Sequence, residues 1–285
     1  FRWIGWLALF SPFAVMGFYA VLGGYCIEYM ALNLSNFAFG SESLASGGEL
    51  FAAMLSNPAG AVLFAALFLA LCYLINRSGI SGGIEKFNNV GMPTLFVMLV
   101  VIIIRSLTLP GAMEGLKFMF VPGYAVEAGF VAEPPSLLSV FASAIIVFAD
   151  TLVATMAGIA VIPAAVANGI ASGTPLDQIE LGGPNLLFVT LQDVFRAMGT
   201  VGALFGVIFY LLVLIAAISS AIALIEVDIT YFLDRAAQKG RKGNRPKVAF
   251  LVCLAIFAVS VLVGIDGLGT TGVFPWPATA GWNDS

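Results

Sequence analysis

The chain has 285 residues, of which 60% are hydrophobic and 10% charged, and its formal net charge is −4. Soluble domains are roughly half apolar and a quarter charged, so this composition and a mean hydropathy of +1.03 exclude that class and predict an all-α, polytopic membrane protein. Histidine is absent, which argues against Ser-His-Asp and Cys-His hydrolases and most zinc sites, so we expect neither an enzyme nor a bound cofactor.

Six apolar stretches are long enough to cross a hydrocarbon layer about 30 Å thick. A strand barrel is excluded because these stretches far exceed the roughly 10 residues that a barrel strand needs. The pattern therefore predicts about six transmembrane helices in a single transmembrane domain, 1–285, with spans at about 3–34, 51–75, 88–108, 137–167, 197–234 and 247–265.

The distribution of positive charge predicts the orientation of these spans. Half of all Lys and Arg residues lie in the loop 235–247, which is predicted to be cytoplasmic, and the loop 76–87 carries two more cations and is predicted on the same side. The acidic stretches 35–50, 109–136 and 168–196 are predicted outside. No other basic patch occurs, so a nucleic acid is not expected as a partner.

The predicted crossings do not add up at the fourth span. Span 137–167 would have to begin and end outside, which one crossing cannot do, and no polar turn interrupts residues 137–146. We interpret this as a helix missing at the junction 137–146.

Four segments carry a recognisable pattern. They are Phe18-Tyr19, the turn 79–86 leading into 105–112, Ile162-Pro163-Ala164, and the serine-containing stretch 216–223. Together and in this order they resemble the neurotransmitter:sodium symporter family, bacterial amino-acid branch. The resemblance implies a leucine-transporter-like inverted-repeat bundle with counterparts of helices three, four, five, seven, eight and nine. Helices one, two, six and those after nine have no counterpart here.

The absent sixth helix of the family falls at the same junction, 137–146, where the charge count fails. This matters because the first and sixth helices of this fold are broken at mid-membrane and hold substrate and sodium with their free backbone ends.

The function implied by the resemblance is sodium-coupled symport of an amino acid or related small amine across the cytoplasmic (inner) membrane by alternating access. The expected partners are the lipid bilayer, Na⁺ and the small amino-acid-like substrate, and the oligomeric state is left open. The alternative from another class is a truncated, non-transporting membrane scaffold or fragment of such a transporter.

Tyr19 lies in the middle of the first span, where its hydroxyl needs a polar partner. Packing between helices with a backbone hydrogen bond would satisfy it. The resemblance instead implies that Tyr19 binds the substrate carboxylate. On that mapping Val15 and Leu22, one turn away on the same face, and Ser220 and Leu224 of the fifth span complete the substrate site.

Ser219 and Ser220 lie in a long apolar stretch of the fifth span. Each hydroxyl could bond the carbonyl four residues earlier in its own helix, as is common in membrane helices. Sodium is a hard cation that prefers oxygen, so both hydroxyls are also candidate ligands. The resemblance implies a sodium site formed by the Ala216 carbonyl with the hydroxyls of Ser219 and Ser220.

Asp150 is an acid inside an apolar run, which makes it a functional candidate because an intramembrane charge is expensive. Protonation or a helix-capping role would also accommodate it. Counted from Gly158, the resemblance assigns Asp150 to a sodium ligand whose charge makes chloride unnecessary, whereas counting from Pro163 gives Ala149.

Three further acids, Glu226, Asp228 and Asp234, end the fifth span. We expect this end of the helix to project into the cytoplasm, with the acids solvated or paired with the basic loop.

Overall fold

The computed structural model describes residues 2–40, 46–77, 83–121, 124, 155–171, 173–174, 179, 183–240 and 243–269. Every regular element in these ranges is helical. The helices are α1 (Arg2–Phe39), α2 (Gly47–Leu55), α3 (Pro58–Asn76), α4 (Gly83–Leu107), α5 (Ala112–Phe120), α6 (Thr155–Ala171), α7 (Leu191–Ala197), α8 (Gly199–Gln238) and α9 (Arg245–Ile265), with a π-helical turn at Leu186–Thr190.

Four of the described helices are long and apolar enough to cross a membrane: α1 from Leu9, α3, α8 and α9. The pair formed by α4 from Gly91 and α5 would make a fifth span if counted as one, and α6 is apolar but shorter. The prediction of an all-α integral membrane protein is thereby confirmed.

The predicted span 51–75 is interrupted near its start. α2 ends at Leu55, and α3 begins at Pro58 after Asn57, whose side-chain Oδ1 accepts a hydrogen bond from the Gly60 amide at 3.1 Å. Proline has no amide hydrogen to donate and suits the first turn of a helix, so this pair starts a new helix rather than continuing the old one.

The third predicted span, 88–108, ends where the chain bends by 112° between α4 and α5. Gly111 precedes α5 with φ of +90°, a left-handed conformation that only glycine adopts readily. The bend thus follows from the local sequence Leu109-Pro110-Gly111.

The fifth and sixth predicted spans correspond to α8 and α9, with ends shifted by a few residues. Met198 separates the short α7 from α8, which begins at Gly199 with φ of +66°. At α9 the Asn244 side chain accepts a hydrogen bond from the Lys247 amide at 3.2 Å, which caps the helix immediately after the basic loop.

The chain forms two compact units. The first comprises Phe1–Gly40, Ala52–Leu95 and Leu204–Ser285, and its core lies where α1, α3 and α9 pack. Gly24 of α1 sits directly on α3, since a Cβ there would lie 2.7 Å from the Ala65 amide nitrogen. Small residues bring backbones close in membrane bundles, where dispersion replaces the hydrophobic effect as the main attraction.

The second unit comprises Ser41–Phe51 and Phe96–Ala203. Asp193 of α7 accepts hydrogen bonds from the Gly47 amide at 2.8 Å and the Asn168 side chain at 3.2 Å, so it joins α2, α6 and α7. Burial raises the pKa of Asp193, while the Gly47 amide and Arg196 oppose that shift.

Two predictions fall outside the described residues. These are the missing helix at the junction 137–146 and the placement of Asp150; only the end of the span 137–167 is described, as α6.

Candidate functional site

The candidate site is built on α1 and α8 of the first unit. Both are long apolar helices, so Tyr19 and the serine pair each lie well inside a membrane-length segment. The Ser220 side chain lies close enough to the Tyr19 hydroxyl to interact with it. The Tyr19 ring also meets Phe68 of α3 edge-on, with centroids 6.3 Å apart. Tyr19 and Ser220, which were both predicted for the substrate site, are thus neighbours in the structure.

Ser219 is hydrogen-bonded to Ala216, which was also predicted to bind sodium. Its hydroxyl donates a hydrogen bond to the Ala216 carbonyl at 2.8 Å. The alternative in which the hydroxyl bonds its own helix is therefore found for Ser219, at three rather than four residues back, while the Ser220 side chain interacts with Tyr19 of α1.

The spacing of these oxygens is compatible with a shared cation. Hard cations such as Ca²⁺ hold oxygen ligands at roughly 2.3–2.6 Å, and two oxygens 2.8 Å apart can both reach one point at that distance. If the Ser219 hydroxyl rotated, its lone pairs and that of the Ala216 carbonyl would face the same ion. The hydrogen bond given up is worth only about 0.5–1.5 kcal/mol.

The other predicted pocket residues flank this pair. Val15 and Leu22 lie one turn before and after Tyr19 on α1, and Leu224 lies one turn after Ser220 on α8. Leu22 and Leu224 are half-buried, whereas Val15 is 50% exposed. Asp150, the remaining predicted sodium ligand, lies outside the described residues.

Close packing fixes α1 against α8 beyond the site. A Cβ on Gly206 of α8 would lie only 2.4 Å from the side-chain oxygen of Asn33 on α1, so the two helices approach closely at this point. Tyr29 packs on Tyr210 with ring centroids 5.1 Å apart. The contact between Tyr19 and Ser220 therefore belongs to a helix pair that is held over several turns.

An ion pair that the sequence did not single out lies two turns further along α8. Arg245 donates to the Glu226 carboxylate at 2.6 Å and, through Nε, to the Asn76 carbonyl at 3.0 Å. It therefore links the end of α3, the start of α9 and α8. The basic loop suggested a partner for Glu226, but spacing alone could not select Arg245 from six cations.

Asp228 does not behave as expected. It was predicted to be solvated or paired with the basic loop, but it is only 4% exposed, and its Oδ2 has no hydrogen-bond partner in the described part of the chain. The signal for burial was present in the helical period, because Ala221, Ile225 and Asp228 recur on one face.

No cluster of three or more His, Cys, Asp or Glu side chains that could hold a metal ion occurs in the described ranges. The candidate ion ligands near Tyr19 are neutral hydroxyl and carbonyl oxygens. Such a set suits reversible binding of a monovalent cation rather than permanent retention of a divalent one, because it supplies no charge of its own.

Residues 138–274 match the model of the sodium:neurotransmitter symporter family. Two bacterial proteins are similar over most of this chain. One is YhdH of Bacillus subtilis (strain 168), an uncharacterized sodium-dependent transporter, 31% identical over 90% of this chain and 59% of its own length. The chain belongs to the sodium:neurotransmitter symporter family. The second bacterial relative is an uncharacterized sodium-dependent transporter of Haemophilus influenzae (strain ATCC 51907 / DSM 11121 / KW20 / Rd). It is 30% identical over 93% of this chain and 61% of its own length.

The structural comparison agrees with this assignment. The crystal structure of MhsT in complex with L-phenylalanine superposes with a TM-score of 0.73 at 28% identity, covering 95% of this chain and 64% of that one. The family member described here thus spans about three fifths of the length of the proteins it matches. The family and the leucine-transporter-like fold inferred from the sequence are confirmed.

Proposed function

We propose that the protein takes part in sodium-coupled symport of an amino acid or a related small amine by alternating access. The observation that carries the proposal is the contact between Tyr19 and Ser220 beside the pair formed by Ser219 and Ala216. A hydroxyl suited to a substrate carboxylate thus lies beside oxygens suited to sodium.

The contact suggests how ion and substrate influence each other. Ser220 is proposed to serve both sites, as a partner of Tyr19 and as a sodium ligand. Sodium bound at Ala216, Ser219 and Ser220 would orient the Ser220 hydroxyl and so present Tyr19 to the substrate in one geometry. Such coupling is reciprocal, so substrate would raise the affinity for sodium by the same factor.

The relatives support this choice of ion and substrate class. Two of them carry the description sodium-dependent transporter, and MhsT was crystallised with L-phenylalanine. An amino acid fits a site with one carboxylate-binding hydroxyl and apolar flanks. Val15, Leu22 and Leu224 would contact its side chain.

We also propose that the protein lies in the cytoplasmic membrane with the loop 235–247 on the cytoplasmic side. The six cations around this loop support the orientation, because cytoplasmic loops are enriched in Lys and Arg. The end of α8 and the start of α9 would then lie at the inner surface.

Uptake by the purified protein in proteoliposomes tests the proposal. An inward sodium gradient should drive accumulation of a labelled amino acid from a mixture of the twenty, and replacement of sodium by choline should abolish it. Tyr19→Phe removes the hydroxyl and keeps the ring, and it should weaken substrate half-saturation about tenfold, as expected for a lost hydrogen bond to a charged group.

The matched control is Tyr73→Phe, on α3, whose ring packs on Phe250 away from the serine pair. It should leave uptake unchanged. Absence of sodium-driven uptake by the unmutated chain, together with an absence of sodium-dependent amino-acid binding in detergent, would contradict the proposed function.

A further inference from the structure

A cavity lies in the first unit, and Ser219 and Ser220 are not among its lining residues. It is formed by α1, α8 and α9 and has a volume of about 600 Å³, and its lining includes Phe10, Phe13, Asp228, Phe232, Leu251 and Val252. Ligand pockets measure roughly 300–1,000 Å³, so the space suits a small organic molecule. Asp228 is eight residues beyond Ser220, or about 12 Å along the helix axis.

The cavity is apolar except for Asp228. No Lys or Arg is among its lining residues within the described part of the chain. Asp228 is 4% exposed, and its Oδ2 finds no hydrogen-bond partner there. A buried carboxylate in apolar surroundings is costly unless a cation or donor meets it.

Two of the described cations that follow Asp228 in sequence are engaged elsewhere. Arg235 donates to the Tyr231 hydroxyl at 2.8 Å, and Arg245 donates to Glu226 and to the Asn76 carbonyl. A partner for Asp228 from outside the chain would therefore complete the cavity.

We propose that this cavity binds a lipophilic amine, with the ammonium group on Asp228 and the apolar body among the aromatic side chains of Phe10, Phe13 and Phe232. A single carboxylate at an apolar cavity selects a ligand with one positive charge and a hydrocarbon or aromatic remainder. An aminophospholipid fits less well, because its phosphate would enter a cavity to which the described part of the chain contributes no cation.

Several lining side chains are exposed, so the cavity is open to such a ligand. Phe10 is 65% exposed, Leu251 52% and Phe232 48%, whereas Asp228 is buried. An amphiphile that enters from the surrounding lipid or water would thus place its charged end inside the cavity only because the Asp228 carboxylate offers the opposite charge.

Titration calorimetry on the purified chain in detergent micelles tests the proposal with three probes of one size: 4-phenylbutylamine, 4-phenylbutanol and 4-phenylbutyrate. The amine should bind saturably, and the alcohol and the acid should bind more weakly. Asp228→Asn should weaken amine binding about tenfold or more, because a desolvated charge pair is lost. The matched control is Asp234→Asn. Asp234 is an exposed acid on the same helix that is not among the described lining residues of the cavity, so its replacement should leave the affinity unchanged.

Micelle partitioning of the probes is the same for every variant, so a difference between variants isolates the site. Ala255→Phe provides a second test, since Ala255 lines the cavity but is exposed, and an added ring should fill the space and reduce amine binding without touching Asp228. Equal affinity for amine and alcohol, no saturable amine binding, or an unchanged affinity in Asp228→Asn would overturn the proposal. Displacement of the amine by phosphatidylethanolamine in the micelles would overturn the assignment to a free amine.

Discussion

The middle of α8 and its end use polar groups in opposite ways. In the middle segment, residues 216–220, the polar atoms are neutral oxygens: Ser219 bonds to its own helix, and Ser220 lies beside Tyr19. The terminal segment, residues 226–234, instead carries three carboxylates, those of Glu226, Asp228 and Asp234. Neutral oxygens can exchange partners at a cost of about one hydrogen bond, whereas separating a partly buried ion pair costs more. The middle is thus suited to exchanging ligands and the end to holding helices in position.

The terminal segment itself divides into two kinds of site. Glu226 is satisfied by Arg245, while Asp228, two residues later, is buried in an apolar cavity without a partner in the described ranges. Successive residues on a helix point in different directions, so two acids of similar sequence context have different neighbours. The contrast explains why one acid stabilises packing and the other is available to a ligand.

The largest expected effect concerns the side of the membrane on which the terminal segment lies. If the loop after α8 is cytoplasmic, Lys239→Cys should be silent to an impermeant thiol reagent on intact cells and should react after permeabilisation, while Ala171→Cys should react on intact cells. Both positions are exposed, and the native Cys26, Cys72 and Cys253 are buried, so background labelling should be low. Labelling of Lys239→Cys with protection of Ala171→Cys on intact cells would reverse the orientation.

The neutrality of the middle segment leads to a second prediction. If its oxygens supply no charge for sodium, a negative group must come from elsewhere, and Asp150 is the candidate from the sequence. The chain should transport without chloride, and Asp150→Asn, which keeps the size and an oxygen, should lose most of its uptake or gain a chloride requirement. The measurement is uptake at fixed sodium with chloride replaced by gluconate.

A structural Asp150 gives a different outcome in the same assay. Asparagine also caps helices, so a capping aspartate predicts little change. Chloride-indifferent uptake by Asp150→Asn would leave the residue a structural role, as would a chloride requirement already present in the unmutated chain.

Removal of both hydroxyls from the middle segment tests whether they exchange partners. Ser219→Ala combined with Ser220→Ala should raise the sodium concentration for half-maximal uptake roughly tenfold or more, since losing even outer partners of a metal site costs 10–100-fold. The matched control is Ser260→Ala in α9, a buried serine whose hydroxyl also donates to its own helix, at 3.0 Å to Ile256. An unchanged sodium activation curve in the double variant would identify the serines as structural.

The sequence predicted the helices and the family for identifiable reasons. Long apolar runs report membrane helices directly, and the motif at 216–223 drew attention to the serines before any contact was known. Tyr19 and Ser220 lie side by side although they are 201 positions apart, and no period or composition reports such proximity. The resemblance could assign both to one site, but the contact itself required the fold.

Two structural details were not predicted from the sequence, each for a local reason. The helix break at Asn57-Pro58 was not predicted because the residues on both sides of it are apolar, although Pro58 preceded by an Asn cap is a helix-start signal. Asp228 was grouped with Glu226 and Asp234 because all three are acids near a basic loop. The helical period that buries Asp228 distinguishes it, so charge alone was an insufficient guide.

The smallest effect is expected where the terminal segment only holds helices together. Arg245→Ala removes both bonds of the guanidinium and leaves Glu226 and the Asn76 carbonyl without that donor. The two side chains are 30% and 21% exposed, so water can partly replace what is lost, and we expect a destabilisation of about 1–3 kcal/mol rather than the 3–5 kcal/mol of a fully buried pair. Thermal unfolding in detergent measures it.

Arg235→Ala is the control, because Arg235 is exposed and, in the described part of the chain, contacts Tyr231 of its own helix. Its loss should cost less than about 1 kcal/mol. Equal melting temperatures for the two variants would mean that the link between α3, α8 and α9 adds nothing measurable. A shift in sodium half-saturation for Arg245→Ala as large as that of the double serine variant would erase the distinction between the two segments, since the terminal one would then set the geometry of the ion ligands as well.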